Sequence, residues 1–157
     1  MTETRVPAAF DAIIAALSAA FSSTGTEVWD GPNLSGDYTL NCVYIGYDGD
    51  PSYQEERATS TQQKWAGSVG ANKRDEDIDI VCSVVTLTGN SGNTWKPVRD
   101  ATFALLETIG QTLRANPSLG LPPPTVAEFW PGDYFQEAGP AGHQARVVFT
   151  IHIATRV

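Results

Sequence analysis

The clearest pattern along the chain is at its end. From Ala145 to Arg156, Ala145, Val147, Phe149, Ile151 and Ile153 fall on one side, and Arg146, Val148, Thr150, His152 and Ala154 on the other. A period of two sustained this long predicts a strand with one face on a core. Ile78 to Leu87 predicts a second strong strand, ending in the Gly89-Asn90-Ser91-Gly92 turn. Two stretches carry the helical period instead. Phe10, Ile13, Ile14, Leu17 and Phe21 form one stripe of a helix from Pro7 to Ser22. Val98, Thr102, Leu105, Ile109 and Leu113, widened by Leu106, form the stripe of a helix from Trp95 to Ala115. Pro7 and Pro97 suit first turns, and Gly25 and Asn116-Pro117 supply the stops.

The weaker segments fill the order. Glu27 to Asp30 reads as a short strand and Thr39 to Tyr47 as a buried one. Ala58 to Val69 reads as a solvated strand, and Gly67 to Asp77 as a mobile loop. Leu121-Pro122-Pro123-Pro124 is a stiff connector. Thr125 to Gln136 reads as a strand that Pro131-Gly132 breaks or bulges, joined to the final strand through Gly139-Pro140-Ala141-Gly142. The order is α-β-β-(β)-β-α-β-β. Two helices with single apolar stripes must both cover a sheet. The predicted fold is therefore α+β: a small mixed or antiparallel sheet with both helices on one face, in a single domain over residues 1–157. The sheet's other face is left either solvated or covered by a neighbouring subunit.

Composition narrows the partners. The formal net charge is -8, with only 10 Lys+Arg residues, and these are scattered. Phosphate binding needs clustered cations, so nucleic-acid recognition is disfavoured. No apolar run reaches the roughly 18 residues of a membrane span. The Ala-rich stretch Ala12 to Phe21 has its large residues spaced as on a helix face, and reads as an amphipathic helix rather than a signal segment. Cys42 and Cys82 lie in apolar strand-like runs and read as buried thiols, with a disulfide open only if their strands are neighbours.

Candidate chemistry is sparse. His143 and His152 are the only histidines and have no Cys or carboxylate at ligand spacing, so no metal or cofactor site is expected. Asp75, Asp77 and Asp79 alternate and share a face, as three carboxylates holding a hard cation would. The simpler reading is that they guard a strand edge against pairing. Gly89 to Asn93 lacks the residues of a nucleophile elbow or a phosphate loop, and reads as a turn. No catalytic set emerges, and the chain is expected not to be an enzyme. Tyr53, Trp65, Trp130, Tyr134 and Phe135 are aromatics outside the helices and strong strands, fitting either local core plugs or anchors of a protein interface.

A wider pattern now emerges. An Ala-rich helix leads to Asp30-Gly31-Pro32, and a strand ends in Ile45-Gly46-Tyr47-Asp48-Gly49. Ile78-Asp79-Ile80-Val81-Cys82-Ser83-Val84-Val85 follows a polar segment. A helix starting at Trp95 carries Val98-Arg99 and closes on Leu113-Arg114-Ala115-Asn116-Pro117-Ser118-Leu119-Gly120. Ala145-Arg146-Val147-Val148-Phe149-Thr150-Ile151 runs to Thr155-Arg156. In order and spacing this resembles the tail terminator, or tail completion, proteins of long-tailed bacteriophages, especially those infecting actinobacteria.

The resemblance implies a structural virion protein. Copies would form a six-membered ring on the finished tail tube, stop its polymerisation and present a surface to the head's connector. The partners implied are further copies of the chain, the tail tube protein and the connector or neck protein, at the head-proximal end of the tail. No membrane and no cofactor are involved. DNA would pass through the opening without specific binding, and Asp75, Glu76 and Asp77 are expected on a loop lining it, where carboxylates repel the duplex. The alternative, from another class, is a small-molecule-binding or hydrolytic domain whose open sheet face forms a pocket with His152 and the loop aromatics.

Overall fold

The computed structural model describes residues 3–33, 40–52, 55–67, 72–89 and 92–157. The chain runs α1 (Val6–Ala20), β1 (Glu27–Asp30), β2 (Asn41–Ile45), β3 (Thr59–Trp65), β4 (Arg74–Thr88), α2 (Lys96–Ala115), β5 (Val126–Trp130), β6 (Tyr134–Gly139) and β7 (Gly142–Arg156). The fold is α+β, with two helices and one seven-stranded mixed sheet.

The long antiparallel pair β4 and β7 is the spine of the sheet, in register from Asp75↔Arg156 to Thr88↔His143. Each spine strand is flanked twice along its free edge. β2 pairs the Cys82–Thr86 end of β4, while β3 pairs the Arg74–Ile80 end. On the other side, β6 pairs the first part of β7 and β5 the last part. β1 adds to β2 in parallel and makes the sheet mixed.

The alternation read from the sequence sets the two faces. Ile78, Ile80, Cys82 and Val84 of β4 and Val147, Phe149, Ile151 and Ile153 of β7 are buried on one side. Ile13 and Leu17 of α1, with Ile109 and Leu113 of α2, cover them in a single core. Each such side chain, fully buried, contributes about 1.5–3 kcal/mol of transfer free energy, so this layer is the main source of stability.

The break expected at Pro131-Gly132 is present and divides the Thr125 to Gln136 stretch into two strands, β5 and β6. A Cβ on Gly132 would stand 2.2 Å from the carbonyl oxygen of Val148, so only glycine lets the chain approach β7 this closely. Two expectations need correction. Leu40, expected on a buried strand face, lies just before β2 and is exposed.

The second concerns the loop expected over Gly67 to Asp77. Its Arg74–Asp77 part is strand, held by β3 on one side and β7 on the other. The dense charge hid it. Three of the four side chains have close partners: Arg74 reaches Glu3 at 2.6 Å, Asp75 accepts from Arg156 Nε at 2.7 Å, and Glu76 is buried among donors. Residues 68–71 of that span, and the centre of the Gly89 to Asn93 turn, lie outside the described residues.

Candidate functional site

The face of the sheet away from the helices is where function must be sought, because it is only partly covered. Its upper half, where β2 and β6 flank the spine, is crossed by residues 46–50. Ser83 Oγ donates to the carbonyl of Tyr47 at 3.0 Å, and Arg146 Nη1 donates to that of Asp48 at 2.8 Å. Gly49 sits at φ +78, and a Cβ there would meet Ser83 Oγ at 2.8 Å and Arg146 Cδ at 2.9 Å. Cys42 and Tyr44 are buried on this face, which they share with Val85 and Ser83 by register, and the Tyr44 ring meets that of Tyr47 edge-on at 5.3 Å. Cys82 points to the core face instead, so the two thiols are on opposite sides of the sheet and no disulfide forms. Burial pushes the Cys82 thiol up to about 12.

Among the described residues, the lower half, where β3 and β5 flank the spine, stays open. Asp75, Asp77 and Asp79 line β4 there, as expected from their spacing, and Arg156 and His152 stand opposite on β7. β4 is the middle of the sheet, so these carboxylates do not guard an edge; Asp75 and Asp79 pair across to Arg156 and His152 instead. His152 is not unpartnered, contrary to expectation. Its Nδ1 lies 2.7 Å from Asp79 Oδ1, its Nε2 lies 3.9 Å from Asp77 Oδ1, and the Trp130 ring stacks on it at 4.2 Å between centroids. The Trp130 indole N–H donates to Glu128 at 3.0 Å. Sequence spacing could not reveal this pair, because residues 79 and 152 meet only through the β4–β7 register. His143 is elsewhere, buried at the hairpin base and stacked on Trp95. Among the described residues no group of three or more His, Cys, Asp or Glu side chains is arranged to hold a metal ion.

The expected interface aromatics separate. Trp130 (43% exposed) and Phe135 lie on the open face, the latter beneath the Arg146 guanidinium. Tyr134 belongs to the core side: it packs on Phe103 and its hydroxyl is buried without a hydrogen-bond partner. It is a core plug. Trp65 closes β3 with 72% of its surface exposed. Tyr53 lies outside the described residues.

Glu76 overturns the expected acidic loop. It is fully buried on the core side and accepts from Thr4 Oγ1 at 2.5 Å, the Arg5 backbone N–H at 2.7 Å and Gln63 Nε2 at 2.9 Å. It caps the start of α1 from a strand, where an anion is favoured by the helix dipole. A side chain so placed cannot line a lumen, and Asp75 is engaged by Arg156.

A groove of about 390 Å³ lies between Phe10, Gly31, Gly46 and Glu56, and His152 does not line it. Burial raises the Glu56 carboxyl above its ordinary range, and the neighbouring Asp48 adds to the shift. No described helix is long and apolar enough to cross a membrane. The chain matches no protein-family model and no curated protein.

Proposed function

We propose that this protein caps the tail tube of a long-tailed bacteriophage as a ring, ends tube polymerisation and offers the surface on which the head connector docks. The observation that carries this reading is the half-open sheet face. Val126, Trp130 and Phe135 are each more than two-fifths exposed there. Exposed aromatic and aliphatic side chains rimmed by charge are the mark of an assembly surface rather than of a solvated one. The core is complete without them. The negative charge of -8 suits a channel that DNA traverses without sticking, although Glu76 takes no part in it.

The His152–Asp79 contact is the one observation favouring the alternative, a hydrolytic open face. It gives a base and its orienting carboxylate. However, the second ring nitrogen faces another carboxylate, Asp77, and among the described residues no hydroxyl or thiol bonds to it. Nucleophilic catalysis needs that contact. The reading is tested by adding the purified protein to polymerising tail tube subunits. Elongation should stop at substoichiometric amounts; unchanged tube growth at excess would refute it.

A further inference from the structure

The groove between α1 and the segments that follow β1 and β2 has a lining that nothing above accounts for. Phe10, Pro32, Ile45 and Ala58 make it apolar, and its volume of about 390 Å³ is enough for one small group. Its shape is built in. Gly46 sits at φ +77, and a Cβ there would stand 2.7 Å from Phe10 Cε1, so only glycine lets the Phe10 ring lie this close. The Gly31 N–H donates to the Ile45 carbonyl at 2.8 Å, and the Tyr47 hydroxyl donates to that of Asp50 at 2.6 Å. These bonds hold both segments in place.

The charge around the groove has one sign. Asp30, Asp50 and Glu56 line it, and none of the described lining residues is basic. None of these three carboxylates forms an ion pair among the described residues. Hydrogen bonds from Ser52 hold the Asp50 carboxyl below its usual range, so it stays charged. Partial burial, and then the neighbouring Asp48, push the Glu56 carboxyl up. A cation beside Glu56 would offset both causes.

An apolar groove with carboxylates alone around it matches a cation on an apolar stem. Of the two long cationic side chains it favours arginine. The guanidinium is planar and weakly hydrated, stacks on aromatic rings and meets carboxylates edge-on, whereas the lysine ammonium is compact and strongly hydrated. We propose that this groove is a docking site for an arginine side chain presented by a partner protein. The guanidinium lies among Asp30, Asp50 and Glu56, and the stem lies against Phe10 and Ile45. Val126, Trp130 and Phe135 do not line the groove, so the proposal does not rest on the ring reading.

The probe is N-acetyl-argininamide, titrated into the isotope-labelled folded chain and followed by NMR. N-acetyl-citrullinamide, neutral and of nearly the same shape, is the control. The arginine probe should give saturating shifts at the backbone amides of Gly31, Gly46 and Ala58, weakening as salt rises. The citrulline probe should not saturate. Glu56→Gln, at an exposed position, should weaken binding roughly fivefold. Ala58→Leu, which fills the groove, should abolish it. Equal response to both probes, shifts spread over acidic residues across the surface, or undiminished binding by Glu56→Gln overturns the proposal. Tighter binding of putrescine than of the arginine probe also overturns it, because the occupant would then be a free polyamine. No tail tubes are present, so failure here leaves the capping reading standing.

Discussion

Replacing Glu76 with Ala removes an acceptor on which three donors converge. Thr4, Arg5 and Gln63 come from the N-terminal segment and β3, and α1 has no side-chain cap of its own. Each hydrogen bond to a charged group contributes about 1.5–3 kcal/mol, and burying the carboxylate costs several kcal/mol in return. The net loss expected is about 3–4 kcal/mol, a large share of the roughly 5–15 kcal/mol typical of a domain. Glu76→Gln keeps the shape but turns an N–H2 toward a donor, and should cost about 1–2 kcal/mol. Asp75→Ala is the control. Its pair with Arg156 is half-exposed, so the loss should stay below about 1 kcal/mol. Urea unfolding followed by circular dichroism measures all three, and hydrogen exchange should show the first turn of α1 opening in Glu76→Ala. If Glu76→Ala and Asp75→Ala are equally mild, the strand does not cap the helix and the reasoning fails.

Other outcomes follow from single contacts. Gly132→Ala should lose about 2 kcal/mol or more, a Tm fall of roughly 4–8 °C in a thermal melt, because its Cβ would strike the Val148 carbonyl. The thiols should not react with a disulfide reagent in the native protein, and both should react in denaturant. Cys82 also sets an alkaline limit: its stabilising neutral form is shared by both states below about pH 9, but above that the unfolded thiol ionises first, so stability falls as pH rises toward 12. Cys82→Ala should remove that part of the slope in pH-dependent unfolding. His152→Ala should leave tube capping close to wild type per folded molecule; loss of capping with the fold intact would favour the hydrolytic alternative.

The sequence told most where one face met the core. The alternation of β7 placed Val147, Phe149, Ile151 and Ile153 inward, and the helix stripes put Ile13, Leu17, Ile109 and Leu113 against them, as the core has it. Pro131-Gly132 marked the break between β5 and β6. The start of β4 was missed because Arg74-Asp75-Glu76-Asp77 reads as a charged loop. Its parity held the answer: extending Ile78, Ile80 and Cys82 back by two puts Glu76 inside. The sequence could not show what covers a face from afar. The 46–50 segment on the upper half depends on Ser83 and Arg146, and the His152–Asp79 contact depends on register between distant strands.

The central claim is that copies of this chain form a ring at one end of a tail tube. Negative-stain electron microscopy of tail tubes mixed with the purified protein tests it most directly. The account predicts a six-fold ring of density on one end of each tube, the end that would face the head, with tubes no longer than at mixing. Bare ends beside dispersed monomers, or density scattered along the tube walls, would contradict it.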